Sequence, residues 1–160
     1  MKRVLSIAIL SCLGALIVLL NAGSTLATAP SGSTASFTVR APLAPYHFDS
    51  NDFKVFQNGN EDVVMRQLTV APGGSTGWHS HPGPTIVIVQ QGTVSLYEAS
   101  DPTCTAQTFA AGQGFVEGPG DVHISRNEGT TPFVMLITFL DVPIGGAFRI
   151  DAPTPGNCPF

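Results

Sequence analysis

The sequence predicts an all-β domain of antiparallel strands, and three observations carry that prediction. Short apolar stretches, roughly nine or ten of them, recur at intervals of about 8 to 12 residues, the spacing of an antiparallel sandwich or barrel. Seventeen glycines and thirteen prolines stand against only 11% charged residues, which suits many tight turns and argues against disorder. No sustained 3.6-residue apolar period occurs beyond residue 29, so long helices are not expected there.

Taken in order, Ser36–Ala41 reads as a first short strand, broken by Pro42 and Pro45. Tyr46-His47-Phe48 follows without clear periodicity. Asp52–Gln57 alternates, and Asn58-Gly59-Asn60 is a turn of the kind that joins hairpin strands. Glu61–Ala71 sends Val63, Met65, Gln67 and Thr69 one way and Val64, Arg66, Leu68 and Val70 the other, both faces largely apolar. Pro72-Gly73-Gly74 turns sharply into a strand carrying His79 and His81, which Pro82-Gly83-Pro84 interrupts. Thr85–Gln90 reads as a buried strand by its β-branched content. After Gln91-Gly92 come Thr93–Ala99, a loop with Asp101, Pro102 and Cys104, and Gln107–Ala110. Gly112, Gly114, Gly118 and Gly120 mark tight corners, then Val122–Arg126 carries His123 and Pro132–Val142 is a long strand. Phe148-Arg149-Ile150 and a Pro-rich tail are expected to wrap the outside.

The first thirty residues read differently. Lys2 and Arg3 precede an uncharged apolar run from Val4 to Leu20, a polar stretch, and Ala27-Thr28-Ala29, a small-x-small pattern. The expectation is a signal peptide over 1–29 cleaved after Ala29, a flexible leader over 30–35, and a single domain with a C-terminal tail over 36–160, placed outside the cytoplasm. An uncleaved anchor is the alternative, because the run can nearly span a bilayer. Cleavage moves the formal charge from −4 to −6 and leaves Arg40, Lys54, Arg66, Arg126 and Arg149, too few and too scattered to track phosphates, so nucleic acid is excluded as a partner. Once the signal is removed, no membrane partner is expected either. Cys104 and Cys158 remain. In an exported chain they read most simply as a disulfide between a mid-domain loop and the tail, with two free thiols or a soft-metal site as alternatives. Such a bridge would close a loop of roughly 50 residues and contribute roughly 3 to 4 kcal/mol.

Four histidines are present, and two of them, His79 and His81, are one residue apart on an expected strand. Side chains at i and i+2 share a face, so both imidazoles can converge on one metal ion, with His123 the candidate third ligand. Gly73, His79, His81 and Gly92 fall in register with the first motif of the cupin superfamily, G-x5-H-x-H-x3/4-E-x6-G, with Thr85 where the glutamate should stand. Gly112, Gly120, His123 and Asn127 fall in register with the second, G-x5-P-x-G-x2-H-x3-N, with Gly118 at the proline position and Pro119 one place later. The chain thus resembles small single-domain cupins with an export signal.

The resemblance implies a jelly-roll β-barrel with a divalent transition metal held inside by His79, His81 and His123. Three neutral imidazoles favour Fe(II) or Zn(II), with Cu, Ni and Mn as alternatives, and a carboxylate-free site would hold hard Mn(II) less well. Glu117 is either a replacement carboxylate or a solvated turn residue, and Thr85 either a hydroxyl beside the ion or a wall residue. Met65, Gln67, Phe115, Ile124 and Phe139 are candidate lining, and His47 lies outside both motifs. Cupin-type dioxygenase, isomerase or lyase chemistry on a small molecule is one reading. A non-catalytic small-molecule or metal-binding module is a second, and a structural barrel without metal a third. An exposed sheet edge makes a homodimer a further expectation.

Overall fold

The computed structural model describes residues 26–57 and 59–160, so most of the expected signal segment, with its apolar run, and Asn58 of the expected turn lie outside the described residues. Twelve strands follow one another: β1 Ser31–Leu43, β2 Tyr46–Ser50, β3 Phe53–Gln57, β4 Glu61–Ser75, β5 His79–Ser80, β6 Thr85–Gln91, β7 Thr93–Glu98, β8 Gln107–Ala110, β9 Gly114–Glu117, β10 His123–Arg126, β11 Phe133–Val142 and β12 Ile150–Asp151. Ten form one antiparallel sheet, and β2 and β3 pair separately. The fold class is as expected, an all-β, nearly closed jelly-roll barrel.

The sheet folds onto itself because β4 is long enough to serve both of its layers. Its first ten residues pair with β1 on one side and β11 on the other, and β11 continues to β6 and β9. Past Pro72-Gly73-Gly74, Ser75 pairs with Arg126 of β10, and β10 continues to β7 and β8 on one side and to β5 and β12 on the other. The layers close over Val64, Leu68, Val70, Val87, Val89, Val94, Phe133, Met135, Ile137, Phe139 and Val142. Burying each such side chain is worth about 1.5 to 3 kcal/mol, which makes this packing the main force holding the barrel shut. Two motif residues hold the strand ends. Gly92 adopts φ 73°, and a Cβ there would meet the Pro132 carbonyl at 2.7 Å, so only glycine passes between β6 and β7. Asn127 is fully enclosed; its Nδ2 donates to the carbonyls of Val70 (2.8 Å) and Thr131 (2.9 Å), tying the end of β10 to β4.

Several expectations need correction. Residues 31–35, expected as leader, belong to β1: Ser33, Thr34 and Ala35 pair with Val70, Thr69 and Leu68. Backbone hydrogen bonds hold this exposed extension, so no apolar pattern announced it. β6 is buried on one face only; Thr85, Val87 and Val89 point inward while Ile86 and Ile88 are exposed, which puts β-branched residues on both faces of a one-sided strand. The tail does more than wrap the outside. Ala152 and Cys158 are buried in a second cluster with Trp78, Tyr97 and Ile124, and Phe148 packs against the main core.

That second cluster clamps the approach to His79. Trp78 is completely buried, its Nε1 donates to the Phe160 carbonyl (3.0 Å), and its backbone N donates to Thr28 Oγ1 (2.5 Å). The Arg126 guanidinium lies 3.9 Å from the centre of the Phe160 ring. Cys104 and Cys158 form a disulfide with Cα atoms 5.4 Å apart, 54 residues apart in sequence, and this fastens the tail over Trp78. The Cys104→Ser/Cys158→Ser variant should lose about 2 to 5 kcal/mol in urea unfolding. A midpoint unchanged from wild type would show that the tail holds without the bridge.

Candidate metal centre

The histidines are brought together by strand pairing. His123 of β10 is the direct antiparallel partner of His79 of β5, and side chains opposite each other on neighbouring strands are the closest a sheet offers. His81, two residues on, returns to the same side. Ring centroids lie 4.5 Å apart for His79 and His123, 4.8 Å for His79 and His81, and 5.2 Å for His81 and His123. One nitrogen from each ring falls within 4.8 Å of the others, and all three side chains are buried.

Hydrogen bonding decides which nitrogens face inward. Nδ1 of His79 donates to the Gly77 carbonyl (2.8 Å), Nδ1 of His81 to the Phe148 carbonyl (2.6 Å) and Nδ1 of His123 to the Asp121 carbonyl (2.9 Å). A carbonyl only accepts, so each Nδ1 carries the proton, and in the neutral ring Nε2 keeps its lone pair. Backbone contacts of this kind are what fix the tautomer and aim of metal-binding imidazoles.

Glu117, last residue of β9, is the member that sequence reasoning underrated. It is buried at 8% exposure rather than solvated in a turn. Its Oε2 lies 3.3 Å from His81 Nε2 and its Oε1 3.1 Å from His123 Nε2. The latter contact is out of line for a hydrogen bond and leaves His123 Nε2 without a hydrogen-bond partner. Glu117 pairs directly with Thr85 across β6 and β9, so it presents its carboxylate on the face where the motif's own glutamate would sit. The signal was available: a carboxylate one residue before a corner of the second motif, on a strand that pairs with Thr85. Thr85 itself is a fully buried wall residue with an unpartnered Oγ1.

The electrostatics set a neutral His79 beside an anionic Glu117 that favours the protonated form of His123. Burial, then the charges of His123, Arg149 and His81, push His79 down to about 2, so its ring stays neutral. Burial alone would raise Glu117, but the rings of His123 and His81 outweigh it and hold the carboxyl at about 2. For His123 burial is again opposed, here by Glu117, and the net direction is upward. An ionised carboxylate and buried imidazoles competing for a shared proton are an unbalanced set. A cation relieves it, and the donor set suits a divalent metal.

A cavity of about 390 Å³, counted to its mouth, opens over the histidines and is lined in part by Arg66, Phe139, Phe148 and Arg149. Of the expected lining, Phe139 is present, its ring 4.9 Å from that of His81. Met65 is exposed, and Gln67 bonds Gln90 outside, because the inward face of β4 is the one carrying Arg66. Phe115 stacks on Phe109, and Ile124 belongs to the cluster around Trp78. His47 stacks on Phe56 in the separate hairpin, away from the site as expected.

The cupin domain model matches residues 66–139, the stretch that carries all three histidines and Glu117. The chain therefore contains a stretch similar to the cupin domain. Among curated proteins, auxin-binding protein ABP20 of Prunus persica is 32% identical over 100 residues, 58% of this chain and 47% of that protein. Germin-like protein 5-1 of Oryza sativa subsp. japonica is 34% identical over 79 residues, 48% of this chain and 36% of that protein. The match spans less than half the length of these curated relatives. A solved oxalate oxidase is 27% identical over 48% of this chain and 40% of its own, with a TM-score of 0.43. A cupin-like protein of Thermotoga maritima is 23% identical over 57% and 65%, with a TM-score of 0.49.

In metal-free protein, long-range nitrogen–proton NMR correlations should show protonated Nδ1 on His79, His81 and His123 and a bare Nε2 on His79, with His123 also taking a proton on the Nε2 that faces Glu117 as pH falls. Finding a bare Nδ1 on any of the three rings would overturn the tautomer assignment.

Proposed function

We propose that this chain is an exported, metal-dependent enzyme acting on a small oxygen-rich molecule, its ion held by His79, His81, His123 and Glu117. The observation that supports the reading best is the convergence of three buried imidazoles, two of them with Nε2 within 3.3 Å of a buried carboxylate. With Glu117 counted, the site is no longer the carboxylate-free set expected from the sequence. Three imidazoles and one carboxylate leave a divalent ion one net positive charge and favour Fe(II) or Mn(II) over the softer alternatives. When bound, such an ion polarises a substrate oxygen or supports redox chemistry. The chain's own part is to hold it and shape its surroundings. The carbonyls of Gly77, Phe148 and Asp121 fix the rings, Glu117 offsets charge, and Phe139 and Phe148 keep one wall of the cavity dry.

Metal analysis of untagged protein exported by its own signal tests this. About one equivalent of a divalent transition metal is expected, lost in His79→Ala/His123→Ala; equal content in both would sink the site. Glu117→Gln should weaken retention roughly tenfold or more, and Thr85→Glu/Glu117→Gln, which returns the carboxylate to the neighbouring strand, should restore it. Thr85→Glu alone places two carboxylates side by side and should not help.

A non-catalytic binder is the second reading, favoured by the three relatives whose names describe auxin binding. Oxygen uptake or product formation with diketones, thiols or phenolics by the Fe(II)- or Mn(II)-loaded protein would support the enzyme, and stabilisation by a ligand without product the binder.

The export proposal takes a different cleavage point from the one first expected. Thr28 N donates to the Ala152 carbonyl (3.0 Å), Thr28 Oγ1 accepts from Trp78 N, and Ala27 bridges Pro153. A cut after Ala29 would discard these contacts, so N-terminal sequencing of the exported protein should find a start at or before Ala27. A start at Pro30 would overturn this.

A further inference from the structure

Arg66 is anomalous for a half-buried cation. It projects from the inward face of β4 into the cavity over the histidines, and among the described residues its side chain has no hydrogen bond and no carboxylate within ion-pair reach. Its Nε is buried without a partner, and its only specific contact is the Phe148 ring, 5.7 Å from the guanidinium carbon. Arg149 lines the same cavity. Its Nε is bound to Asp151 (2.6 Å), but its Nη2 is buried and unpartnered. The two guanidinium groups are near enough that, after burial, the charge of Arg149 is the next cause lowering the pKa of Arg66.

Placing two partly buried cations together costs free energy, and leaving a buried N–H of each unbonded costs more. The Phe148 face recovers only part of this. What relieves both is an anion with two planar acceptors, which a guanidinium fork binds with paired hydrogen bonds. The space between these arginines and the histidines is small, which limits the anion to a few heavy atoms.

We propose that Arg66 and Arg149 form an anion-recognition subsite that seats one carboxylate of a small organic acid, turning the remainder of the molecule toward His79, His81 and His123. The inference deepens the metal-site reading and rests on it for the orientation of the ligand, but the subsite itself needs no ion. Phe148 serves both parts, since its ring faces Arg66 and its carbonyl holds the His81 ring.

Calorimetric titration with malonate, its neutral isostere malonamide and inorganic phosphate tests the subsite on metal-loaded and metal-stripped protein. Malonate should bind both forms, more tightly with metal, and malonamide neither. Arg66→Gln should raise the malonate Kd roughly tenfold or more, and Arg66→Lys, which keeps the charge without the fork, should fall between. Arg149→Gln provides a second variant should Arg66→Gln unfold. Equal binding of malonate and malonamide, or an unchanged Kd in both glutamine variants, would overturn the proposal, and so would Arg66-dependent binding of phosphate in preference to malonate. If the protein retains no metal yet binds malonate through Arg66, the subsite stands and the metal reading falls. If metal is retained and malonate binding ignores both arginines, the reverse holds.

Discussion

The pairing of His79 with His123 across two very short antiparallel strands is the contact on which the site depends. Neither strand could hold that register alone, since β5 has two residues and β10 four. The register is imposed from both ends. Ser75 pairs with Arg126 on one side, and on the other the burial of Trp78 under the tail fixes the residue immediately before His79. The barrel core and the disulfide-bound tail are therefore two separate supports for one pair of imidazoles.

The same frame explains why polar groups are tolerated in the interior. Each imidazole uses Nδ1 to bond a backbone carbonyl, so its position contributes to the fold as well as to the site. Nε2 of His123 and the two arginines of the cavity are different. Their acceptors and donors are not balanced by one another, and in a native interior such imbalances concentrate where a ligand completes the set.

Much of this was legible in the sequence. Turn residues and strand spacing carried the all-β architecture, and the register of two motifs singled out all three histidines. Glu117 was underrated because the motif counts residues along one strand, whereas this carboxylate arrives from its partner. Arg66 could be placed on one of two faces of β4 but not assigned to the inner one, since both faces are largely apolar and only the closure of the barrel over one of them separates them. The reach of β1 back to Ser31 was invisible because backbone pairing, not side-chain burial, sustains it.

The opposition of Thr85 and Glu117 has a consequence for how such proteins are grouped. A ligand pattern written as spacings records chain distance, but a sheet conserves cross-strand position. Moving a carboxylate to the antiparallel partner keeps its place in space and changes its sequence offset by an amount set only by the intervening loops. Here 32 residues separate two positions that face each other. Chains sorted by the linear pattern would be filed as lacking the acid. Sorted by strand register, they would fall beside those that have it.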